Sequence, residues 1–355
     1  MPHHLVCLIS DQSAPNLLVL LSPVFQSVDR YVFVTTPEME AKGRLGHLLD
    51  AVPLPTTKVQ TIVVAADHPG AVLAALTAAC PLTDHRYSVH ISGGTKMMSL
   101  GVWTYFTHVR ARTDIYYLPI GSQQLWHIYP MEAGHDLELT RAPSVDEYLR
   151  AYGLTPAPAV VRLGTEQLEA QLLRHYLAAT HPLASVPKPV WWFGAEAAYQ
   201  LRESQQDTLP LSALPWLSEW LTWLGYTPQI TSQLSAAEVA YLNTGWFPQY
   251  CTRVLQRTLR LPATAIRCHL HIHRTGGPTQ YANNELDIVF LYQHKLYVLE
   301  CKTAIRQNYN DTSKLFNQAL QRLANLRQEF GLHVQAGFLT LSDRLRKKTD
   351  GPLLP

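Results

Sequence analysis

The sequence is poor in cysteine and lacks long apolar runs. Its five cysteines are scattered at Cys7, Cys80, Cys251, Cys268 and Cys301, with no C-x-x-C pair among them. This spacing argues against a zinc finger and is typical of a chain kept in a reducing cytoplasm. No apolar run has the length that spans a bilayer, and no basic stretch precedes an apolar one at the N-terminus. We therefore expect a cytoplasmic protein with no membrane partner.

Length and charge indicate two domains of unequal character. At 355 residues with 47% apolar content, the chain is long enough for two domains of ordinary size with real cores. The net charge is only +2, but from residue 250 onward 15 Lys and Arg stand against 7 Asp and Glu. Localised positive charge is typical of proteins that bind a polyanion. The C-terminal part is therefore a candidate for nucleic-acid binding, although Arg344–Lys348 is open to interpretation as a solvated tail.

The N-terminal part of the chain alternates short β-rich runs with helical patterns. This order predicts a parallel sheet covered on both faces, a Rossmann-like open α/β domain. In such sheets ligands bind beyond the carboxyl ends of the strands. The predicted strands are Leu5–Ile9, Tyr31–Val34, Thr61–Val64, Ser88–Ile91 and Asp114–Leu118, and the predicted helices are Glu38–Asp50, Pro69–Ala79 and Met97–Arg110.

Three of these strands end in polar or glycine-rich segments, Ser10–Gln12, Thr35–Pro37 and Ser92–Lys96. The last segment has two adjacent glycines that permit a tight turn. Their amides and the start of the following helix can bind a phosphate, and the lysine adds a cation. Neither G-x-x-x-x-G-K-[ST] nor G-x-G-x-x-G occurs, so ordinary ATP or NAD binding is unsupported. The alternative is a strand-to-helix turn with a surface lysine.

The segment 284–302 predicts a β-hairpin. A loop at Gln293–His294 places Asp287 opposite Glu300, whereas a loop one residue later places Asp287 opposite Lys302. In either register the three charged residues share a face, because side chains alternate along a strand. The other face is apolar and suits a core: Ile288, Phe290, Leu299 and Cys301.

The charged face of this hairpin suits a divalent cation. Two close carboxylates repel each other unless a cation lies between them, and oxygen ligands favour Mg²⁺ or Mn²⁺. A lysine beside the metal can orient a water or stabilise charge on a phosphate. We therefore predict metal-dependent phosphodiester hydrolysis with Asp287 and Glu300 as metal ligands and Lys302 beside them; a salt-bridged hairpin on a solvent face is the alternative. The pattern resembles the PD-(D/E)xK nucleases, whose signature is D, a variable gap, then (D/E)-x-K.

The chain as a whole resembles a family of CRISPR proteins. The segments LISDQSAPNLL, VTTPEM and ISGGTKMM, after the first, second and fourth strands, are similar to a CARF domain, the cyclic-oligoadenylate sensor of type III CRISPR systems. With a D…E-x-K nuclease behind it, the chain resembles the ancillary nucleases that cyclic tetra-adenylate activates. The resemblance implies a homodimer with one symmetric pocket for the ring, and cleavage of DNA or RNA with Mn²⁺ or Mg²⁺. Carried over by position, the ring pocket comprises Ser10, Gln12, Thr35, Thr36, Gly93, Gly94, Thr95, Lys96 and Met97.

One departure from the family concerns an acid that commonly lies on the helix before the hairpin. The corresponding residue here is Gln249, whose carbonyl can ligate a metal or hold a water but carries no charge. Glu285 shares the face of Asp287 and is a candidate to compensate; a solvent-exposed strand start is the alternative. The implied catalytic set is Asp287, Glu300 and Lys302, with Glu285 and Gln249 as further candidates.

On this interpretation the chain divides into three segments. Residues 1–145 form the CARF domain, 146–235 a helical connecting region, and 236–355 the nuclease domain. The expected fold is α/β, with an N-terminal Rossmann-like CARF domain and a C-terminal restriction-endonuclease-like α/β domain. Within the last segment, the apolar spacing over Asp311–Phe330 predicts a helix with one side packed in the core.

Three histidines alternate on one predicted strand. The run His269, His271 and His273 predicts a polar strand face near nucleic acid. Three histidines can also bind zinc, but no further motif supports that alternative.

Three other functions stay open. A non-catalytic second-messenger binding protein with a degenerate nuclease fold is favoured by the uncharged Gln249. A CARF-regulated transcription factor needs a winged-helix region, and the sequence after residue 150 shows no clear one. A repair nuclease without a regulatory ligand leaves the glycine loop unexplained.

Overall fold

A computed structural model describes residues 1–80, 85–108, 112–131, 135–157, 164–177, 197, 201, 207–274, 284–303, 321 and 334–341. The predicted helix Asp311–Phe330, apart from residue 321, and the basic cluster Arg344–Lys348 lie outside these residues. Within the described part of the chain, no helix has both the length and the apolar character needed to cross a membrane.

A seven-stranded sheet forms the N-terminal domain. Its spatial order is β3-β2-β1-β4-β5-β6-β7, with β1 to β5 parallel and β6 and β7 antiparallel. The parallel part confirms the Rossmann-like α/β prediction. The strands are β1 (His3–Leu8), β2 (Arg30–Thr35), β3 (Val59–Val63), β4 (Arg86–His90), β5 (Arg112–Tyr117), β6 (Gln124–Tyr129) and β7 (Leu137–Glu138).

The predicted helices of this domain form, one of them divided at a glycine, and two further helices, Ala14–Leu21 and Val145–Arg150, were not predicted. The predicted helix Glu38–Asp50 is divided at Gly43, which has a left-handed φ of 65°. A residue in that conformation ends one helix and starts another at a new angle. The helices are α1 (Ala14–Leu21), α2 (Pro37–Ala41), α3 (Arg44–Ala51), α4 (Pro69–Ala79), α5 (Lys96–His108) and α6 (Val145–Arg150).

A second, five-stranded sheet forms the C-terminal domain, in the order β14-β13-β12-β11-β8. Its edge strand β8, Leu154–Pro156, lies within the predicted connecting region 146–235 and pairs with the far end of β11. The connecting region therefore contributes to this sheet. The strands are β8 (Leu154–Pro156), β11 (Ile266–Arg274), β12 (Asn284–Tyr292), β13 (Lys295–Lys302) and β14 (Val334–Thr340), and a separate antiparallel pair is β9 (Thr208–Pro210) with β10 (Gln233–Ser235).

Helices cover the far face of this second sheet. The helix Trp246–Thr258 crosses β11, β12 and β13, and a π-helical turn, Tyr241–Gly245, leads directly into it. Trp220 and Trp246 are fully buried there and belong to the core under these helices. These helices are α7 (Glu166–Leu177), α8 (Leu217–Leu224), α9 (Ala236–Ala240) and α10 (Trp246–Thr258).

The two sheets share one hydrophobic core. A single cluster of buried apolar side chains contains Leu5 of the first sheet, Leu17 of α1, Tyr148 of α6 and Leu291 of the second sheet. The helices α1, α3 and α6 therefore lie between the two sheets and contribute buried side chains to both. Separate cores lie outside, under α4 and α5 on one side and under α7, α8 and α10 on the other.

Candidate active site and ligand pocket

The hairpin of β12 and β13 forms in the first of the two predicted registers. Ile288 lies opposite Leu299, so one residue further along the strands Asp287 comes opposite Glu300. Both loop residues have positive φ, 49° and 60°. That conformation belongs to the two-residue type I′ turn, whose twist matches the twist of the strands it joins. The turn therefore fixes which charged residues meet.

Away from its charged end, the hairpin is buried on both faces. Val289 and Leu291 follow Asp287 on the charged face and lie in the core shared by the two sheets. Ile288 and Phe290 point to the opposite face, under the helices. The prediction of a single apolar face was therefore incomplete. The charged residues lie at one end of a sheet that is otherwise enclosed in protein.

Asp287, Glu300 and Lys302 are brought together as predicted by the pattern. Lys302 Nζ donates to Glu300 Oε1 at 2.7 Å and lies 3.9 Å from Asp287 Oδ2. The second strand donates a backbone bond as well, from the Cys301 N–H to Asp287 Oδ2 at 2.6 Å. Asp287 is thereby held by the strand that carries Glu300 and Lys302.

The electrostatics of this group favour a bound cation. Burial raises the pKa of Asp287, and the carboxylate of Glu300 raises it further. Burial lowers the pKa of Lys302, but the hydrogen bond to Glu300 together with the charges of Glu300 and Asp287 leaves that pKa above its ordinary value. A metal ion stabilises the charged form of a carboxylate, such as that of Asp287, whose ionisation is opposed by burial and a neighbouring carboxylate.

Gln249 lies on α10, which packs against β11, β12 and β13 of the same sheet. Its side chain is only 6% exposed, and its carbonyl Oε1 has no hydrogen-bond partner. A buried carbonyl without a partner is unfavourable unless an ion or water satisfies it. Two carboxylates and an amide carbonyl are the hard oxygen donors that Mg²⁺ and Mn²⁺ prefer. The residues present therefore fit the divalent ion that the sequence predicted.

Glu285 is engaged by a histidine whose position the sequence did not predict. His269 Nδ1 lies 2.9 Å from Glu285 Oε1, and His269 Nε2 lies 3.0 Å from the carbonyl oxygen of Gly245. The ligand atoms of His269, Glu285 and Asp287 all lie within 4.8 Å of one another. Burial lowers the pKa of His269, but hydrogen bonds to Cys268 and Glu285 raise it overall to about 11.

The predicted common face of the three histidines does not form. His269 has a left-handed φ of 51°, which breaks the alternation of side chains along β11. Its ring is largely enclosed, whereas His273 is exposed. The pairing of β11 with β12 places His269 opposite Asp287. No sequence pattern indicated this arrangement, because periodicity alone does not reveal a left-handed residue.

The three predicted ligand loops meet at one edge of the first sheet. β1 lies between β2 and β4, so the segments after these strands are neighbours at their carboxyl ends. An open cavity of about 550 Å³ lies there, beside the start of α5. It is lined by Ile91, Ser92, Gly93, Gly94, Lys96, Ser99, Leu100, Trp103 and Tyr117.

The glycine loop requires both of its glycines. A Cβ at Gly93 would lie 2.1 Å from the carbonyl oxygen of Leu8, and Gly94 has a φ of 73°. Thr95 then caps the helix, since its Oγ1 accepts the Met98 N–H at 3.2 Å. The loop thus combines a close approach of two backbone segments with the start of a helix, and the phosphate-binding prediction requires both features.

The other predicted ring-binding residues occupy three different environments. Thr35 is fully buried, while Thr36 caps α2 by accepting the Met39 N–H. Ser10 and Gln12 are partly buried, and Met97 is exposed on α5 outside the cavity lining. Their roles stay predictions. Ser99, Leu100 and Trp103 line the cavity without having been predicted, although their helical spacing from Lys96 places all four residues on one side of α5.

The fold and these two sites define a ligand-sensing domain joined to a nuclease domain. Two family models match the chain: the Card1 CARF domain over residues 4–148 and the Card1-like endonuclease domain over residues 236–349. The chain belongs to the CARF-domain CRISPR ancillary nucleases, with both domains of the Card1 type. No curated protein matches it significantly by sequence.

Solved structures show the same fold at low sequence identity. Protein VC1899 from Vibrio cholerae is 18% identical with a TM-score of 0.70, over 95% of this chain and 88% of that one. Can2 from Sulfobacillus thermosulfidooxidans, in complex with cyclic tetra-adenylate, is 19% identical with a TM-score of 0.65, over 94% and 88%. A type III CRISPR defence DNA nuclease activated by cyclic oligoadenylate is 18% identical with a TM-score of 0.52, over 96% of this chain but only 45% of that one.

Proposed function

We propose that this protein is a metal-dependent endonuclease that cyclic oligoadenylate, in the form of cyclic tetra-adenylate, activates in type III CRISPR defence. The observation that carries the proposal is the meeting of Asp287, Glu300 and Lys302 in one hairpin. The helix packed against that hairpin carries Gln249, whose buried carbonyl has no partner. The endonuclease model over residues 236–349 supports it. The substrate is a nucleic acid, DNA or RNA, and the active form is a homodimer.

The sensor half of the proposal rests on the glycine-loop cavity. The loop supplies backbone amides and a helix start, and Lys96 stands exposed at the cavity wall. These are the groups that phosphates bind. The likeness to Can2, whose structure contains cyclic tetra-adenylate, supports a ring as ligand. Two such cavities, one from each protomer, would serve one two-fold symmetric ring.

The nuclease half assigns a role to each residue of the hairpin. Asp287 and Glu300 would hold a Mg²⁺ or Mn²⁺ ion, and Gln249 would contribute its carbonyl oxygen. A bound divalent ion supplies Lewis-acid polarisation of the scissile phosphate. Lys302, anchored on Glu300, places a positive charge where negative charge develops on that phosphate. The Cys301 N–H fixes the Asp287 carboxylate that would hold the ion.

The charge of the C-terminal half contributes less to substrate binding than its sequence suggests. Three of its arginines form ion pairs with acids that precede residue 250. Such paired cations are partly neutralised before any phosphate arrives. Binding through the phosphate backbone must then depend on other cations of this half. The pairs are Arg253 with Glu169, Arg257 with Glu166, and Arg267 with Asp146.

A cleavage assay tests the proposed function. The purified protein is incubated with plasmid, single-stranded DNA and RNA, with and without cyclic tetra-adenylate, in Mn²⁺, Mg²⁺ or chelator. We expect cleavage only with both metal and ring. Ring binding without cleavage in any metal or substrate would instead support a non-catalytic second-messenger binding protein, the function that the uncharged Gln249 favours.

A further inference from the structure

His269 has a backbone conformation that is unusual inside a strand. Its φ of 51° lies in the left-handed region, and the residues on either side, Cys268 and Leu270, keep regular pairing with β12. Non-glycine residues are rarely left-handed, and when they are, surrounding contacts hold them there. The distortion is confined to the one position of β11 that lies opposite Asp287.

Two hydrogen bonds hold the ring of His269 in this conformation. One partner is the carboxylate of Glu285 and the other is the backbone carbonyl of Gly245, at 2.9 and 3.0 Å from the two ring nitrogens. A carbonyl and a carboxylate both accept, so the ring must donate from both nitrogens. No ring lone pair is then left for a metal ion. The closeness of His269, Glu285 and Asp287 is therefore not that of a histidine-ligated metal site.

Gly245 is the point at which the helix carrying Gln249 begins. It closes the π-helical turn Tyr241–Gly245 and precedes α10 directly. A π-helical turn has i→i+5 hydrogen bonds and is frequent at functional sites. Gln249 follows Gly245 by four residues, so both lie on the same side of the helix. A bond from β11 to the Gly245 carbonyl thus sets the position of Gln249 relative to the sheet.

We propose that His269 is a positioning residue of the nuclease site, which ties α10 to the hairpin and holds Glu285 away from the metal. This inference rests on the proposed function, in which Asp287, Glu300 and Gln249 hold the ion. Glu285 lies two residues before Asp287 and is bonded to His269, so Gln249 completes the oxygen donors. Residues that orient ligands in this way commonly change metal affinity by about 10- to 100-fold when removed.

Three substitutions separate the two bonds. His269→Gly keeps the left-handed backbone and removes both bonds. His269→Asn tolerates the same backbone and keeps a donor only near Glu285, whereas His269→Gln keeps a donor only near Gly245. His273→Asn, at an exposed histidine of the same strand, is the matched control. Mn²⁺ affinity is measured by titration calorimetry, and kcat and KM are measured separately for cleavage.

We expect Mn²⁺ to bind about 10- to 100-fold more weakly to His269→Gly, with kcat reduced and KM for nucleic acid unchanged. His269→Asn and His269→Gln should each recover part of the affinity, and His273→Asn should match the wild type. If a melting experiment shows that His269→Gly is unfolded, His269→Asn is used in its place. His269→Asn must then bind Mn²⁺ more weakly than the wild type.

Three results overturn the proposal. Equal Mn²⁺ affinity in folded His269→Gly and wild type means that the imidazole ring of His269 has no effect on the site. Complete loss of Mn²⁺ binding in all three variants means that His269 is itself a ligand. Wild-type protein that binds no Mn²⁺ at all rejects the proposed metal-dependent nuclease together with this inference, whereas the first two results reject the inference alone.

Discussion

The two candidate sites differ in how firmly their side chains are held. In the hairpin, Lys302 is bonded to Glu300, and Asp287 is bonded to the opposite strand, in a group that is mostly buried. In the sensor cavity, the backbone of the glycine loop is fixed, but Lys96 is exposed at the start of α5. A preorganised group needs only an ion and a substrate. The open cavity, in contrast, has the character of a surface that a ligand and a second protomer complete.

The largest expected effect breaks the firm site. Asp287→Asn or Glu300→Gln keeps the shape of the side chain but removes the charge that balances a divalent ion. We expect cleavage to fall by a factor on the order of a thousand or more, because two close carboxylates act as one unit. The measurement is plasmid or RNA cleavage with saturating ring and Mn²⁺.

Ring binding by these two variants should equal that of the wild type in calorimetry. Glu138→Gln, at an exposed acid of the sensor domain, is the control for general loss of charge. Full activity in both hairpin variants would remove Asp287 and Glu300 from the catalytic site.

The next effect concerns the open site. If Lys96 binds a ring phosphate, Lys96→Ala removes one charge-assisted bond from each protomer of a dimer. Each such bond contributes about 1.5–3 kcal/mol, so ring affinity should fall by at least about a hundredfold. Calorimetry with cyclic tetra-adenylate gives the answer.

Lys58→Ala supplies the comparison, since Lys58 precedes β3 and so lies at the amino edge of the same sheet. Both variants should remain folded. An unchanged affinity in folded Lys96→Ala would leave the glycine loop as a structural turn.

A third prediction concerns what keeps the firm site in place. α10 is joined to α7 by Arg253, whose Nε lies 2.8 Å from an oxygen of the fully buried Glu169. Arg253→Gln leaves a buried carboxylate without its cation, which typically costs about 3–5 kcal/mol of stability. Urea unfolding of the ring-free protein measures the loss.

The double variant Arg253→Gln, Glu169→Gln should recover part of that stability, because the unpaired charge is gone. A double variant that is no more stable than Arg253→Gln alone would show that the buried charge is not the cause.

The smallest effect is expected at the exposed surface of the same helix. Arg257 pairs with Glu166, and both are solvent-exposed. If the ion pair with Glu166 keeps Arg257 from contacting a phosphate, Arg257→Gln should hardly alter the salt dependence of substrate binding. Each phosphate contact adds about 0.9 to the slope of log affinity against log salt for duplex DNA. If a filter-binding titration instead shows that this slope decreases by about 0.9 in Arg257→Gln, then Arg257 contacts a phosphate of the substrate.

The common face of the charged hairpin residues could be predicted from the sequence, because local chemistry determines it, but the choice between two registers could not. Alternation places Asp287, Glu300 and Lys302 on one face, and a two-residue loop leaves two registers to choose from. The glycine loop was recognisable from its two adjacent glycines and the lysine that follows them. The close approach of Gly93 to the Leu8 carbonyl, in contrast, is a contact between distant segments that only the structure shows.

The features that sequence patterns missed depend on contacts between distant segments. The bond from His269 to Gly245 joins residues 24 positions apart and needs a left-handed strand residue. The charge asymmetry predicted nucleic-acid binding by the C-terminal part, but three of its arginines form ion pairs with acids in the segment before residue 250. Neither arrangement has a period or motif, because tertiary packing alone produces it.

The core shared by the two sheets limits how this protein can be rearranged. Exchanging the nuclease segment with that of a relative would keep each chain's signature residues but place foreign side chains against α1, α3 and α6. Well-packed interiors tolerate such mismatches poorly. New combinations of sensor and nuclease are therefore expected to arise by coordinated change across this boundary, so that sensor and effector are inherited together and not as interchangeable parts.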